Sequence, residues 1–178
     1  MSTVVDTLYN DFLAIVQLME RDEAISLKST INDNFRKVLL LCAASYFEHR
    51  LTTGLLSYCE EVTAGNTLIP TLIKNRVVSR QYHSWFNWDS NNANSFFGMF
   101  GEHFKDHMGQ LIKKDADLSK AISAFLEIGR ERNRLVHQDY GSFSLEKTAD
   151  EIFALYRTAS GFVEIIPTAL RECKPAAP

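Results

Sequence analysis

The sequence LSKAISAFLEIGRERNRLVH, residues 118–137, has the apolar spacing of an amphipathic α-helix. On a helical wheel with about 100° per residue, Arg132 lies at the centre of the apolar stripe. The apolar residues within about 60° of it on this wheel are Leu118, Ala121, Phe125, Ile128, Leu135 and Val136. Burying a guanidinium among such residues is costly unless it is paired or hydrogen-bonded. Arg132 is therefore expected to have a structural or catalytic role.

An opposite charge lies at the corresponding place in an earlier segment with helical periodicity, residues 35–62. Glu48 falls in the middle of the apolar stripe of that segment, which consists of Leu41, Ala44, Leu51, Leu55, Cys59 and Val62. We therefore expect Glu48 and Arg132 either to meet or to border one polar pocket. A buried ion pair that only fixes the register of two helices explains the same pattern.

Few helix breakers, 4 Pro and 8 Gly, interrupt the chain, and no segment has convincing strand periodicity. The sequence predicts an all-α bundle with two long antiparallel helix pairs and short extra helices. The first predicted helices cover residues 3–21, a long segment that ends near residue 64 (with a break at 29–33 left open), and residues 68–83. Two short helices follow, one over 96–100 with Asn94 or Ser95 as its cap and one over 103–113. The motif helix runs from Asp115 or Asp117 to between residues 137 and 141, and the last helix runs from an N-cap at Ser144 to about residue 173, with a kink predicted at Pro167. Residues 84–94 are predicted to form an ordered loop pinned by Trp85 and Trp88.

The length of 178 residues predicts a single domain over residues 1–174, followed by a frayed tail at 175–178. The net charge of -3 lacks the overall basic character of a duplex-DNA binder, although a local basic patch remains compatible with it. The three scattered cysteines and the absence of a signal peptide indicate a reducing cytoplasm. No apolar run approaches the roughly 20 residues of a membrane span.

Four features of the sequence resemble the RiboL-PSP-HEPN group of the HEPN superfamily. Arg132 and Asn133, followed by three residues and His137, match the R-x(4–6)-H signature with its polar residue after the arginine. Upstream lies a Ser45-Tyr46-Phe47-Glu48 stretch, followed by a Trp-, Asp- and Asn-rich loop and a segment with phenylalanine and glycine, residues 96–101. The resemblance covers the chain from about residue 35 to about residue 170.

This resemblance implies a homodimeric helical bundle that cleaves RNA without a metal or another cofactor, with the motifs of both chains lining one cleft. His137 would act as general acid or base, because imidazole exchanges protons near neutral pH. Arg132 would stabilise charge on the phosphorane, Asn133 would support it, and Glu48 would orient or neutralise Arg132. The expected products carry a 2′,3′-cyclic phosphate and a 5′-hydroxyl. A role in toxin–antitoxin systems or phage defence, with an antitoxin or defence partner, follows from the resemblance alone.

The spacing of the motif raises a geometric question. Residues five apart on a regular helix diverge by about 140°, so Arg132 and His137 do not point together unless the helix loosens or a two-fold dimer brings in the partner's pair. Asn133 and His137, four apart, share a face. Arg130, Arg134 and Tyr140 are weaker candidates for contacts with RNA. Tyr140 lies three residues after His137, whereas the tyrosine modified in related toxins lies two residues after the histidine.

Other patterns in the sequence give alternatives. His103 and His107 lie four residues apart, but neither the H-E-x-x-H pattern nor a cysteine partner accompanies them, so no metal site is predicted. A catalytically silent HEPN module that binds nucleic acid or nucleotide, or that serves in dimerisation, is the main alternative to a nuclease. A purely structural bundle with a buried Glu48–Arg132 pair is the third.

Overall fold

The computed structural model describes residues 2–22 and 25–173, and this part of the chain contains helices and loops and no β-strand. The predicted all-α class is therefore confirmed. The predicted tail at 175–178 lies outside the described residues. The helices are α1 (Val4–Arg21), α2 (Ile25–Val62), α3 (Leu68–Ile73), α4 (Asn94–Gly98), α5 (Glu102–Lys114), α6 (Ala116–His137) and α7 (Ala149–Glu172), with a π-helical turn at Lys74–Val78 and a 3₁₀ turn at Tyr82–Ser84. Among the described residues, none of the helices has the length and apolarity needed to cross a membrane.

Helices α1 and α2 form the first antiparallel pair. Phe12 stacks on Phe35 with ring centroids 3.7 Å apart, and Glu20 pairs with Lys28, so residue numbers fall along one helix as they rise along the other. The capping-type residues at 29–33 do not break α2, which is continuous. An uninterrupted α2 allows one helix to contact α1, α3, α6 and α7.

Helices α6 and α7 form the second antiparallel pair. A β-carbon on Gly161 of α7 would lie 3.7 Å from Ala121 near the start of α6, whereas Glu127 further along α6 pairs with Lys147 just before α7. Helix α7 runs parallel to α2, as shown by contacts that advance along both: Arg36 with Leu145, Phe47 with Tyr156, Gly54 with Pro167 and Glu61 with Arg171. Both predicted antiparallel pairs are thus present.

The core between these helices is largely aromatic. Phe125 of α6 lies at its centre, with ring centroids 5.7 Å from Phe47, 4.9 Å from Phe86 and 5.0 Å from Phe162. These rings come from α2, the loop before α4, and α7, so one cluster ties the long helices to the connecting segment. Aromatic pairs of this kind contribute about 0.5–1.5 kcal/mol each beyond their buried area.

The apolar stripe predicted for α6 is buried except at its end, and that of α2 is buried at Leu51, Leu55 and Cys59 but only partly at Leu41 and Ala44. Val62 is 57% exposed and Val136 is 45% exposed, so their assignment to the buried stripes is wrong. Each lies in the last turn of its helix, beyond the cover of neighbouring helices. Leu118, Ala121, Phe125, Ile128 and Leu135 of α6 are buried as predicted.

The starts of α1, α6 and α7 are capped by side chains that accept from free backbone N–H groups. Asp115 caps α6 by accepting from the backbone of Asp117 and Leu118. The predicted N-cap of the last helix, Ser144, is wrong: Thr148 is the cap and forms a capping box with Glu151. The sequence T-x-x-E at 148–151 satisfies two orphan N–H groups, whereas Ser144 has Lys147 at the position that a capping box needs for a carboxylate.

The segment predicted as one helix over 68–83 is interrupted. Helix α3 passes into the π-helical turn, and Arg80, with φ of 62°, ends it before the 3₁₀ turn. The indole Nε1 of Trp85 donates to the carbonyl of Val77 within the π turn at 2.9 Å. A tertiary hydrogen bond from the buried tryptophan thus holds this stretch in an irregular form. The loop that follows is ordered, because Trp85 is buried and Trp88 donates to the carbonyl of His83.

Candidate functional site

A cavity between α2 and α6 brings together the two charges that the sequence places on buried stripes. Glu48 of α2 and Arg132 and Asn133 of α6 line a narrow cavity with room for about one water molecule. Its remaining walls are mostly aromatic and include Phe47, Tyr82, Trp88 and Phe125. Glu48 and Arg132 therefore border one pocket.

Arg132 is not part of a buried ion pair among the described residues. Both Glu48 and Arg132 are partly exposed, and no ion pair within 4.0 Å joins them in that part of the chain. Instead, Nη1 of Arg132 donates to Oδ1 of Asn133 at 3.1 Å. The arginine is thus held by its neighbour and keeps donors available for a ligand.

A second, more open hollow continues from the cavity toward the end of α6. It opens to solvent and is lined by His83, Trp88, Arg132, Asn133, Val136 and His137. Side chains five residues apart on a helix point in directions that differ by about 140°. Arg132 and His137 nevertheless border the same hollow, because the hollow extends along the last turn of α6 and both side chains reach its edge. The structure thus brings Arg132, Asn133 and His137 onto one concave surface, with Glu48 in the adjoining cavity.

Tyr82 is a cavity residue that the sequence analysis did not single out. It is 7% exposed and close enough to Glu48 and Arg132 for both charges to act on its hydroxyl. Burial raises the pKa of Tyr82, the carboxylate of Glu48 raises it further, and Arg132 partly opposes them. The phenol therefore stays protonated, and it can donate a hydrogen bond into the cavity.

Gly129 is the second residue that the sequence analysis missed. A β-carbon at this position would lie 2.0 Å from Cζ3 and 2.1 Å from Cε3 of Trp88, far inside van der Waals contact. The indole of Trp88 is therefore seated directly on the backbone of α6, one turn before Arg132. The available signal was a glycine inside a helical pattern, where it costs about 1 kcal/mol relative to alanine unless close packing requires it.

The chain after His137 is held against α2 by two consecutive basic residues. The ammonium of Lys37, which is 3% exposed, donates to the carbonyl of Tyr140 at 2.8 Å and lies 5.0 Å from the centroid of the Tyr140 ring. Arg36 donates to the carbonyls of Leu145 at 2.9 Å and Lys147 at 3.4 Å. We call residues 138–147 the strap; its contacts with α2 fix the end of α6 and so the place of His137.

The model of the family described as RiboL-PSP-HEPN matches residues 6–172 of the chain. The chain belongs to the RiboL-PSP-HEPN family. Neither the search of curated proteins nor the search of solved structures finds a match. The family match extends beyond the region of sequence resemblance, into α1 and to the last residue of α7.

The weaker candidates for RNA contacts lie outside the two hollows of this RiboL-PSP-HEPN protein. Arg134 forms an ion pair with Glu131 at 3.0 Å, and its guanidinium lies 5.6 Å from the centroid of the Phe143 ring. Its charge is therefore already engaged by contacts within the protein. Arg130 is partly buried, and Tyr140 is 42% exposed on the strap. Within the described part of the chain, His, Cys, Asp and Glu side chains form no group of three that is placed to hold a metal ion.

Proposed function

We propose that the protein is a metal-independent endoribonuclease of HEPN type. The observation that carries this proposal is the open hollow that Arg132, Asn133 and His137 line together. A cation, an amide and an imidazole on one surface suit cleavage of a phosphodiester through the neighbouring 2′-hydroxyl. Membership of the RiboL-PSP-HEPN family supports the same reaction.

In the proposed reaction the RNA supplies its own nucleophile. The 2′-oxygen attacks the phosphorus, the bond from phosphorus to the 5′-oxygen breaks, and the products carry a 2′,3′-cyclic phosphate and a 5′-hydroxyl. Neutral His137 accepts the 2′-hydroxyl proton, or protonated His137 donates to the leaving 5′-oxygen. Arg132 donates to the phosphate oxygens as negative charge gathers on them, and Asn133 holds its guanidinium.

Glu48 and Tyr82 support Arg132 from the cavity in this proposal. The carboxylate of Glu48 offsets the charge of Arg132 before RNA binds and limits where the guanidinium points. The protonated hydroxyl of Tyr82 is a neutral donor that adds no charge to repel the phosphate. Glu48 is thus a positioning residue, and it touches no reacting atom.

We also propose that the active form is a homodimer with a composite cleft. Tyr140 is an aromatic residue that stays 42% exposed close to His137 in sequence and lines neither hollow. An exposed aromatic residue next to a functional surface suits a self-complementary two-fold interface. Such an interface would bring a second His137 and a second Arg132 toward the same RNA. A role in toxin–antitoxin systems or phage defence belongs to the same proposal and rests on the family.

The test is cleavage of mixed RNA by purified protein in EDTA, with analysis of the fragment ends. Wild type and His49→Ala are expected to leave 2′,3′-cyclic phosphate ends, whereas His137→Ala should leave the RNA intact. His49 is a suitable control because it is an exposed histidine on α2 that lines neither hollow. Equal cleavage by all three proteins would contradict the role of His137. Intact RNA with all three, but RNA retained on the protein, would favour the catalytically silent module.

A further inference from the structure

The open hollow beside His137 contains more than the phosphate chemistry requires. Besides Arg132, Asn133 and His137, its wall consists of the indole of Trp88, the residue His83 and the exposed side chain of Val136. Trp88 is only partly buried, and Val136 is 45% exposed. A surface that is apolar and aromatic on one side and cationic on the other matches a ligand with a flat ring and an anionic group.

We infer that this wall, formed by Trp88, His83 and Val136, is a nucleobase-binding subsite that holds a base next to the phosphate bound by Arg132. The inference rests on the proposed nuclease function, because it takes the phosphate side of the hollow as the cleavage site. Aromatic side chains stack on bases in proteins that bind single-stranded nucleic acid, since every base has a π-face.

The two tryptophans have different environments, and the difference indicates which one faces a ligand. Trp85 is 2% exposed, and its Nε1 is used on the carbonyl of Val77. Trp88 borders both hollows, with its Nε1 bonded to the carbonyl of His83 at 2.9 Å. Trp85 is therefore a core residue, and Trp88 is the tryptophan whose side chain borders the open hollow.

The ring of Trp88 is fixed before any ligand arrives. The bare backbone of Gly129 supports it, and the rings of Phe86 and Phe125 lie with centroids 5.0 and 5.8 Å from it. A ring that is already immobile loses little conformational entropy when a base stacks on it. The hydrogen bond of Trp88 goes to the backbone of His83, so removal of the imidazole of His83 leaves this support intact.

A base in this subsite cannot remain paired within a duplex. Stacking against a protein ring requires the base to leave the helical stack, which is how proteins read single-stranded RNA. The protein is therefore expected to cut unpaired RNA, and the base beside the cleaved phosphate is expected to influence where it cuts.

The test uses tryptophan fluorescence and a ligand that cannot be cleaved. Trp85→Phe leaves Trp88 as the sole tryptophan, because the chain has two. The probe is a mixed-sequence pentanucleotide of 2′-O-methyl RNA, compared with the same backbone carrying abasic sugars and with a 2′-O-methyl duplex. Quenching of Trp88 by the pentanucleotide, and not by the abasic strand or the duplex, is the expected result. Circular dichroism of Trp85→Phe verifies that the variant is folded.

Two substitutions in the hollow extend the test without removing the catalytic residues, with binding read from the anisotropy of a dye-labelled pentanucleotide because Trp88 itself is replaced. His83→Ala and Trp88→Leu should each weaken binding of the pentanucleotide by about ten-fold or more, and Trp88→Phe should recover part of it. Val62→Ala and His49→Ala, exposed residues outside the hollow, should bind as wild type. In cleavage assays the loss should appear mainly as a raised KM, since stacking is made before and during the reaction.

The outcomes separate this inference from the nuclease proposal. Quenching by the pentanucleotide without cleavage of any RNA would support the base subsite and contradict the nuclease proposal. Cleavage of RNA, together with equal binding of the pentanucleotide and the abasic strand, would support the nuclease proposal and overturn the base subsite. Fluorescence of Trp88 that changes with protein concentration and not with RNA would show that a second subunit fills the hollow, which also overturns it.

Discussion

At the scale of single residues, Gly129 has the sharpest steric requirement in the site. Gly129→Ala should force the indole of Trp88 off α6, since the new β-carbon would lie 2.0 Å from Cζ3. Overpacking of this kind costs about 1–3 kcal/mol, against which the helix gains about 1 kcal/mol from replacing glycine. We expect a lower free energy of unfolding in urea and, if the site cleaves RNA, a loss of activity.

A matched control for Gly129→Ala lies in α5. A β-carbon on Gly109 would meet no atom within 4 Å, so Gly109→Ala should raise stability by up to about 1 kcal/mol through helix propensity alone. If both substitutions stabilise the protein to the same extent, the seat of Trp88 on Gly129 is not as described.

Tyr82 gives a prediction about alkaline pH. Burial raises the pKa of its phenol, with Glu48 as the second cause, while the unfolded chain keeps the ordinary value of 10.0. Above pH 10 the unfolded state therefore releases a proton that the folded state retains. The resulting stability is fully present below pH 10 and falls by up to about 1.4 kcal/mol per pH unit above it.

The comparison of wild type with Tyr82→Phe isolates this effect. The pKa values of Tyr9, raised to about 12 mainly by its hydrogen bond to Asp150, and of Tyr156 are raised in both proteins and cancel in the difference. Urea unfolding at pH 8, 10 and 11 should show that the free energy of unfolding of wild type falls relative to that of Tyr82→Phe as pH rises. The two values should approach each other, or Tyr82→Phe should become the more stable protein. Parallel curves would mean that Tyr82 ionises as easily in the folded protein as in the unfolded one.

At the scale of elements, the start of α7 separates two serine-or-threonine positions that look alike in sequence. Thr148→Ala should cost about 1 kcal/mol, because Oγ1 of Thr148 accepts from the backbone of Glu151 and caps the helix. Ser144→Ala should change stability by less than about 0.5 kcal/mol, as expected for an exposed residue that caps nothing. Thermal unfolding of the two variants measures the difference, and a larger loss for Ser144→Ala would place the helix start at Ser144.

The elements also show where sequence reasoning succeeds and fails. Long amphipathic helices follow from local periodicity, so α1, α2, α6 and α7 are all predicted, with the ends of α1 and α6 close to those observed. The start of α2 was left open, and the cap of α7 was placed at Ser144 instead of Thr148. The break in 68–83 depends on the hydrogen bond from Trp85 to Val77, a tertiary contact that no local pattern contains. The shared pocket of Glu48 and Arg132 was predictable because each charge interrupts a regular stripe. Tyr82 and Gly129 escaped because their importance lies in what surrounds them.

At the scale of the whole molecule, the proposed composite cleft predicts complementation. Arg132→Ala and His137→Ala should each be inactive alone, yet a mixture that exchanges subunits should cleave RNA. About half of the dimers in a random mixture are heterodimers, and each has one intact arginine and one intact histidine on different chains. Activity should therefore reach at most about half that of wild type.

The complementation experiment needs evidence that subunits have exchanged. Differently tagged variants, co-purified after mixing, provide it. Heterodimers that are isolated in this way and remain inactive would show that Arg132 and His137 must lie on the same chain, and a protein that remains monomeric at all concentrations would remove the composite cleft altogether.

The strap connects the site to the order in which the chain is made. Its hydrogen bonds to Lys37 and Arg36 span 103, 109 and 111 residues, so they can form only after residues 138–147 have been synthesised. A nascent chain that has emerged only as far as His137 contains Glu48, Arg132, Asn133 and His137 but not the strap or α7. The last turn of α6 then lacks the strap that holds it. All four residues of the site are therefore synthesised before the segment that fixes the position of His137.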